Sequence, residues 1–347
     1  MDNTRIVPTI MINLINIYML TYLYLIAGLA LLIVGGDYLV KGGVAIAKRF
    51  KVPSLIIGMT IVAFGTSSPE FIVSCQSAIQ GHPEISLGNV VGSNIANIGL
   101  ILGLTALILP MAVNRTSVKM DIPFMIFCSL LFYIITQDNL ISRCEGILLI
   151  SIIITFVSYS IYKGKKETKQ EYNKEEDTDT KPEMKMISAV LMIIASCVAL
   201  TIGANLLIES AIEIAKYFGV SERIISVTVV AFGTSVPELA TSIMAAIRKE
   251  NDIAIGNVVG SNIFNILFVI GASAIITPIQ NFDFSTFNYD FCWMIIFAAM
   301  LALSVIPFRN IINKNKSIDN KNYSTLSRFS GFIMLASYAA YVILLLQ

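Results

Sequence analysis

The octapeptide AFGTSSPE occupies residues 63–70, and a near copy, AFGTSVPE, occupies residues 231–238. Each copy lies inside a long apolar stretch, where glycine, hydroxyls, proline and a carboxylate rarely occur together. The likeness extends outward at a constant offset of 168: between 60–97 and 228–265, 22 of 38 aligned pairs are identical without a gap. This pattern predicts that the two halves of the chain are duplicated.

The composition indicates an integral membrane protein. Hydrophobic residues make up 56% of the chain, charged residues only 14%, and the mean hydropathy is +0.77, whereas soluble domains carry about 25% charged residues. The apolar blocks are long enough to cross a bilayer as helices. Ten spans are predicted, at 18–40, 54–80, 85–110, 119–136, 144–162, 186–208, 222–247, 252–278, 288–307 and 329–346.

A charged segment at 163–185 divides the spans into five and five. We expect a lead-in at 1–17, a first five-helix repeat at 18–162, a flexible linker at 163–185 and a second repeat at 186–347. Because five is odd, the second copy must enter the membrane from the opposite side. The predicted fold is therefore all-α, with two inverted five-helix repeats, an architecture of many secondary transporters.

The distribution of Lys and Arg predicts the orientation. If the 163–185 linker is cytoplasmic, 20 of the 24 basic residues face the cytoplasm. The positive-inside rule then places the N-terminus outside a cell membrane.

The repeated octapeptide predicts a broken helix. Pro69 and Pro237 have no N–H to donate to the preceding turn, so we expect carbonyls near Ala63 and Ala231 to be released from the helical ladder. Such carbonyls survive at membrane depth only against protein or a wet cavity, where cations can bind them. Beyond the break, Thr66 or Ser67 could cap a new half-helix with Glu70 in its first turn.

Polar residues then recur at helical spacing in both halves. Residues at i, i+4 and i+8 share one helix face. One set in the first half is Thr66, Glu70 and Ser74, and its counterpart in the second half is Thr234, Glu238 and Ser242. The other set is Asn89, Ser93 and Asn97, with the counterpart Asn257, Ser261 and Asn265. The glycine pairs Gly88/Gly92 and Gly256/Gly260 predict close helix packing.

Simpler structural explanations fit several of these residues. Ser74 and Ser242 could bond only to their own helices, His82 is assigned no role, and the five cysteines read as free apolar fillers. Glu70 and Glu238 differ, because no basic residue lies within their core stretches to pair with them. Two carboxylates with hydroxyl, amide and carbonyl oxygens form a hard-oxygen set suited to Ca²⁺ or Na⁺.

The doubled motifs resemble the Na⁺/Ca²⁺ exchanger family of the cation/Ca²⁺ antiporter superfamily, in its compact prokaryotic form. The resemblance rests on GTSSPE with GNVVGSN and on GTSVPE with GNVVGSN. It implies that Glu70, Glu238, Thr66 and Thr234 bind Ca²⁺. It also implies Na⁺ ligands at Ala63, Ala231, Ser67, Ser235, Ser93 and Ser261, with Asn97 and Asn265 as a central polar pair. Some relatives, including potassium-dependent exchangers, have Asp where this chain has Asn265, which disfavours K⁺ co-transport.

The expected function is secondary antiport of Na⁺ against Ca²⁺ by alternating access, electrogenic at the family's usual three Na⁺ per Ca²⁺. A Ca²⁺/H⁺ antiporter of the same superfamily is the main alternative, and a cation channel is a weaker one. We see no nucleophile–base pair, so no enzymatic activity is predicted. The expected ligands are the transported ions, with no cofactor, no nucleic acid and no obligatory protein partner.

Overall fold

The computed structural model describes residues 6–172, 184–219, 233–305 and 323–345. Within them, eight helices are long and apolar enough to cross a membrane, and a ninth span is broken. The seventh predicted span, 222–247, is described only from residue 233, so the total of ten remains a prediction. The chain is an all-α, multi-pass membrane protein, and four short strands join its loops.

The first half contains eight helices and two strands. In chain order these elements are α1 (Ile6–Phe50), α2 (Ser54–Ile57), α3 (Ala63–Thr66), α4 (Ser68–Ile79), α5 (Pro83–Ala96), α6 (Gly103–Ile108), β1 (Met111–Asn114), α7 (Ile122–Ile135), β2 (Leu140–Ile141) and α8 (Arg143–Tyr172). Wider π-helical turns at Gly58–Val62, Asn97–Leu102 and Ser117–Asp121 join some of these helices into single spans.

The second half repeats this order where it is described. Its elements are α9 (Met186–Tyr217), α10 (Val236–Ile247), α11 (Asn251–Phe264), α12 (Gly271–Ile276), β3 (Ile279–Gln280), α13 (Phe284–Val305), β4 (Tyr323–Leu326) and α14 (Arg328–Leu345). A π-helical turn at Asn265–Ile270 joins α11 to α12, at the same place as the turn that joins α5 to α6.

Several expected boundaries were wrong, and in each case the helix is longer than predicted: α1 begins at Ile6 and α9 ends at Tyr217, where spans of 18–40 and 186–208 were expected. The first span continues to Phe50, and the added turns begin packed closely on α9, since a Cβ at Gly42 would lie 2.8 Å from the Ile193 side chain. The predicted linker is helical as far as Tyr172. Its Lys, Glu and Gln residues are good helix formers, and Gly164 packs against Pro53 and Ile56.

Contacts between the halves follow an inverted pattern. Strand β1 pairs antiparallel with β4, and β2 pairs antiparallel with β3. In each pair, one strand follows the third span of its half, and the other strand precedes the fifth span of the other half. Glycines make the matching helix crossings: a Cβ at Gly331 would lie 2.6 Å from the carbonyl oxygen of Gly103, and one at Gly146 would lie 2.7 Å from that of Gly271.

Two long helices pack against each other along one side of this assembly. Helices α1 and α9 run antiparallel and cross closely, because a Cβ at Gly28 would lie 2.8 Å from the carbonyl oxygen of Gly203. The spans that contain α5 and α11 are instead the most enclosed, with 72% of their membrane window buried, against at most 33% for the other six full spans. The polar motifs lie on and beside these two enclosed spans.

Candidate cation site

Each half-helix of the repeated octapeptide begins where the prolines predict. The second span bends by 49° between Ser54–Thr66 and Ser68–Ile79. Ser67 leaves helical geometry (φ −84°, ψ 8°), and Ser235 does the same before α10 (φ −89°, ψ 3°). Glu70 and Glu238 lie in the first turns of the new helices, where the helix dipole favours a negative charge.

The break differs from the prediction in one detail. The carbonyl of Ala63 is not released, since it accepts the N–H of Ser67 at 2.9 Å and the hydroxyl of Thr66 at 3.3 Å. The chain leaves the helix one turn after Ala63, so this carbonyl keeps its partner. Ala231 lies outside the described residues. Neither Ser67 nor Ser235 caps its helix through its side chain.

The hydroxyl of Ser67 instead contacts the other repeat. It donates a hydrogen bond to Oε1 of Glu238 at 3.0 Å. In the opposite direction, Thr234 and Ser235 interact with the carboxylate of Glu70, and the two carboxylates are close enough to interact electrostatically. Glu70 and Glu238 are 1% and 0% exposed. The two motifs, 168 residues apart in sequence, therefore form one buried site.

A side-chain amide holds each glutamate in place. Asn89 donates to the carbonyl of Glu70 at 3.1 Å and to the hydroxyl of Ser74 at 2.9 Å. Asn257 makes the matching bonds to the carbonyl of Glu238 at 3.4 Å and to Ser242 at 3.0 Å. Each asparagine thus ties a half-helix to the next span. Ser74 and Ser242 serve as hydrogen-bond acceptors in these ties, which is a structural role.

Asn257 also orients a predicted Ca²⁺ ligand. Because its amide N–H groups are used on its own repeat, its Oδ1 faces outward and accepts the hydroxyl of Thr66 at 3.1 Å. The Thr66 hydroxyl shares its one hydrogen between this oxygen and the more distant Ala63 carbonyl, so its lone pairs remain available to a cation.

The remaining serines that were predicted as Na⁺ ligands are also buried. Ser93 is 2% exposed and Ser261 is fully buried. Ser261 interacts with the carboxylate of Glu238. Within the described residues, Ser235 and Ser261 lie near the carboxylates of Glu70 and Glu238 but do not reach hydrogen-bond geometry, and one oxygen of each glutamate likewise has no hydrogen-bond partner. Buried oxygens without partners are costly, and a bound cation would supply the missing interaction.

The predicted central pair is in fact a group of four. Asn97 donates to Oδ1 of Asn262 at 2.9 Å, and Asn265 donates to Oδ1 of Asn94 at 3.1 Å. Asn94 and Asn262 are the last residues of the two GNVVGSN motifs, and no role was predicted for them. The usable signal was their position three residues before Asn97 and Asn265, on an adjoining part of the same helix face.

The cysteines are free but do not all fill the core. Cys75 and Cys128 are buried, whereas Cys144 and Cys292 are exposed. Across the described part of the chain, no three His, Cys, Asp or Glu residues form a group that could hold a metal. The two carboxylates act with neutral oxygens, a donor set that suits Ca²⁺ and Na⁺ and is poor for softer transition metals.

Comparison with known proteins agrees with this chemistry. Residues 20–162 and 188–347 match the family model described as "Sodium/calcium exchanger protein". A putative antiporter, CaxA, of Alkalimonas amylolytica is 36% identical over 324 residues, which cover 93% of this chain and 98% of CaxA. The sodium/calcium exchanger MaX1 of Methanosarcina acetivorans is 32% identical, again covering 93% and 98% of the two chains.

Solved structures give the same result. A structure of the sodium-calcium exchanger NCX_Mj, soaked with Na⁺ and Ca²⁺, superposes with a TM-score of 0.75 at 28% identity. The superposition covers 93% of this chain and 98% of the other. The likeness therefore extends over both repeats and is not confined to the motifs.

Proposed function

The chain belongs to the sodium/calcium exchanger family, and from that premise we propose that it exchanges Na⁺ for Ca²⁺ by alternating access at the site between its repeats. Members of this family are transporters and not enzymes, and cation/Ca²⁺ exchange is the activity that the family carries. The single observation that carries the proposal is the buried meeting of Glu70 and Glu238, each facing hydroxyls of the opposite repeat.

In the proposed Ca²⁺-bound form, the ion lies between the two glutamates and the two threonines, Thr66 and Thr234. The carboxylates together supply a charge of −2, which one Ca²⁺ neutralises. Thr66 is already oriented with its hydrogen toward Asn257, so its oxygen needs little reorganisation to become a ligand.

In the proposed Na⁺-bound form, three ions replace the Ca²⁺ and leave a net charge of +1. Ser67, Ser235, Ser93 and Ser261 supply hydroxyl ligands, the carbonyls of Ala63 and Ala231 supply further oxygens, and Asn97 and Asn265 form the central polar pair beside them. For Ala63, this requires the shared hydrogen of Thr66 to turn fully toward Asn257, while the Ser67 N–H keeps its bond to the Ala63 carbonyl. A proton can bind a carboxylate without a surrounding set of hydroxyl and carbonyl ligands. The presence of this set therefore favours Na⁺ over H⁺ as the counter-ion.

The charge of the site explains coupling. An empty site with two ionised carboxylates is costly at membrane depth, where even one charge costs at least about 2.5–3.5 kcal/mol. The empty protein therefore crosses poorly between its two states, while either loaded form crosses. The paired helices α1 and α9 lie beside the enclosed spans and are the elements that we propose to slide.

The deciding experiment measures ⁴⁵Ca²⁺ uptake into proteoliposomes that contain the purified protein. One set is loaded with Na⁺ while an ionophore collapses any pH gradient, and a second set has only an outward H⁺ gradient. Uptake driven by internal Na⁺ alone is the expected result. Uptake driven only by H⁺ would overturn the Na⁺ assignment and establish Ca²⁺/H⁺ antiport. Uptake that needs neither counter-ion and does not saturate would indicate a channel.

A further inference from the structure

The four central asparagines form a closed hydrogen-bonded group between the repeats. Asn94, Asn97, Asn262 and Asn265 are each at most 2% exposed. Asn94 donates to the carbonyl oxygen of Asn262 and Asn262 donates to that of Asn94, both at 3.4 Å. The two hydrogen bonds are reciprocal because Asn94 and Asn262 are equivalent residues of the two repeats, 168 positions apart.

This reciprocal pair fixes the direction of each amide. Because the amide nitrogens of Asn94 and Asn262 donate across the repeat, their Oδ1 atoms face the other way and accept from Asn265 and Asn97. Asn97 and Asn265 must then use their nitrogens in these bonds. An amide has only one oxygen and one nitrogen at its end, so the oxygens of Asn97 and Asn265 point out of the group.

Those two outward oxygens are buried without a hydrogen-bond partner in the described part of the chain. Asn97 and Asn265 lie one helical turn after Ser93 and Ser261 on the same face, and Ser261 interacts with the Glu238 carboxylate. Each of the two asparagines also begins a π-helical turn, a distortion that is frequent at functional sites.

We propose that Asn94 and Asn262 are positioning residues, which hold the amide oxygens of Asn97 and Asn265 toward the cations and thereby set the affinity for Na⁺. This inference rests on the proposed exchange of Na⁺ for Ca²⁺. Without Asn262, the Asn97 amide loses the acceptor that fixes it and can present its N–H to a cation. Ca²⁺ binding should change less, because its proposed ligands are the glutamates and threonines.

The test is a double-mutant cycle on the reconstituted full-length protein, with Asn97→Ala, Asn262→Ala and both together. The Na⁺ half-saturation is taken from Na⁺-driven ⁴⁵Ca²⁺ uptake, and the Ca²⁺ half-saturation from Ca²⁺/Ca²⁺ exchange without Na⁺. Ser86→Ala is the matched control. This buried serine lies on α5 with Asn94, and the duplication places alanine, Ala254, at the equivalent position of the other repeat.

Each single variant should raise the Na⁺ half-saturation about 5-fold, the equivalent of one ordinary hydrogen-bond contribution. The double variant should be no worse than Asn97→Ala alone, since Asn262 acts through Asn97. The Ca²⁺ half-saturation should change less than about 2-fold, and Ser86→Ala should match the unmodified protein in both measurements.

Three results would overturn the inference. Multiplicative effects in the double variant would show that Asn262 acts independently, and parallel losses of Na⁺ and Ca²⁺ affinity would show a merely structural role. Unchanged Na⁺ half-saturation would show no role at all. If Asn262→Ala does not fold, the symmetric cycle of Asn94→Ala with Asn265→Ala gives the same test. Failure of the unmodified protein to use Na⁺ would remove the proposed function as well, and is thus distinguishable.

Discussion

At the scale of single residues, the two glutamates carry the charge that the proposed function needs. Glu70→Gln or Glu238→Gln keeps the side-chain volume but lowers the site from −2 to −1, so Ca²⁺ is no longer neutralised. We expect Ca²⁺/Ca²⁺ exchange in proteoliposomes to fall by about 100-fold or more, since truncating one partner of a buried charge interaction costs about 3–5 kcal/mol. Near-normal exchange in both variants would place the cation elsewhere.

Two adjacent serines allow a sharper comparison at the break in the second span. Ser67 donates to Glu238 of the other repeat, whereas Ser68 donates to the carbonyl of Phe64 on its own helix at 2.9 Å. Ser67→Ala should raise the Na⁺ half-saturation of exchange about 5-fold or more, because it removes a proposed Na⁺ ligand.

Ser68→Ala is the control for this variant. The equivalent residue of the second repeat is Val236, so the position does not need a hydroxyl, and we expect unchanged Na⁺ dependence. Equal effects of the two alanine substitutions would argue against a role of Ser67 in Na⁺ binding.

At the scale of elements, the two ends of the molecule are not equivalent although the halves are duplicated. Asp37 of α1 forms an ion pair with Arg248, which follows α10, and a second one with Lys41 of its own helix at 2.9 Å. The equivalent residues at the other end are Asn205 and Gln80, which carry no charge. The ion pair between Asp37 and Arg248 thus has no charged counterpart at the two equivalent positions.

This asymmetry should bias the equilibrium between the two access states. Asp37→Asn should favour the state that opens on the Arg248 side, which raises the apparent Ca²⁺ affinity on that side and lowers it on the other. The pair is partly exposed, and such pairs contribute at most about 1 kcal/mol, so the ratio of the two affinities should change by up to about 5-fold.

Vesicles of opposite orientation give the two Ca²⁺ half-saturations separately. Lys41→Gln is the matched control: Lys41 lies on the same helix as Asp37, so its loss leaves the contact between α1 and α10 in place. A ratio that changes equally in Lys41→Gln and Asp37→Asn would show an effect of local charge and not of the contact between helices.

Much of this arrangement could be read from the sequence, because membrane spans and duplication leave strong local signals. The prolines predicted where helices α4 and α10 begin. The lack of basic residues near Glu70 and Glu238 predicted that these carboxylates bind the cations, and this role stays a prediction. The four-asparagine group could not be predicted, since its bonds join residues that are about 168 positions apart and depend on how the repeats pack. The bond that retains the Ala63 carbonyl depends on where the chain turns at Ser67, and spacing does not specify that turn.

At the scale of the whole molecule, the predicted orientation places the N-terminus outside and the 163–185 linker in the cytoplasm. A single cysteine at Asp138, in a variant without the five native cysteines, should react with an impermeant thiol reagent in intact cells. A cysteine at Thr178 in the linker should react only after permeabilisation. The reverse labelling pattern would show that the molecule has the opposite orientation in the membrane, and the proposed cation site would be unchanged.

The net charge of the loaded site predicts how the molecule responds to voltage. Ca²⁺ makes the site neutral, so Ca²⁺/Ca²⁺ exchange should not depend on membrane potential. Three Na⁺ leave a charge of +1, and moving one charge through 100 mV is worth about 2.3 kcal/mol. Clamping proteoliposomes at 100 mV with K⁺ and valinomycin should therefore change the Ca²⁺ gradient sustained by a fixed Na⁺ gradient about 40–50-fold.

In the same vesicles, Ca²⁺/Ca²⁺ exchange is the internal control. A sustained gradient that ignores the clamp would mean two Na⁺ per Ca²⁺, and one of the proposed Na⁺ positions would then be empty during transport.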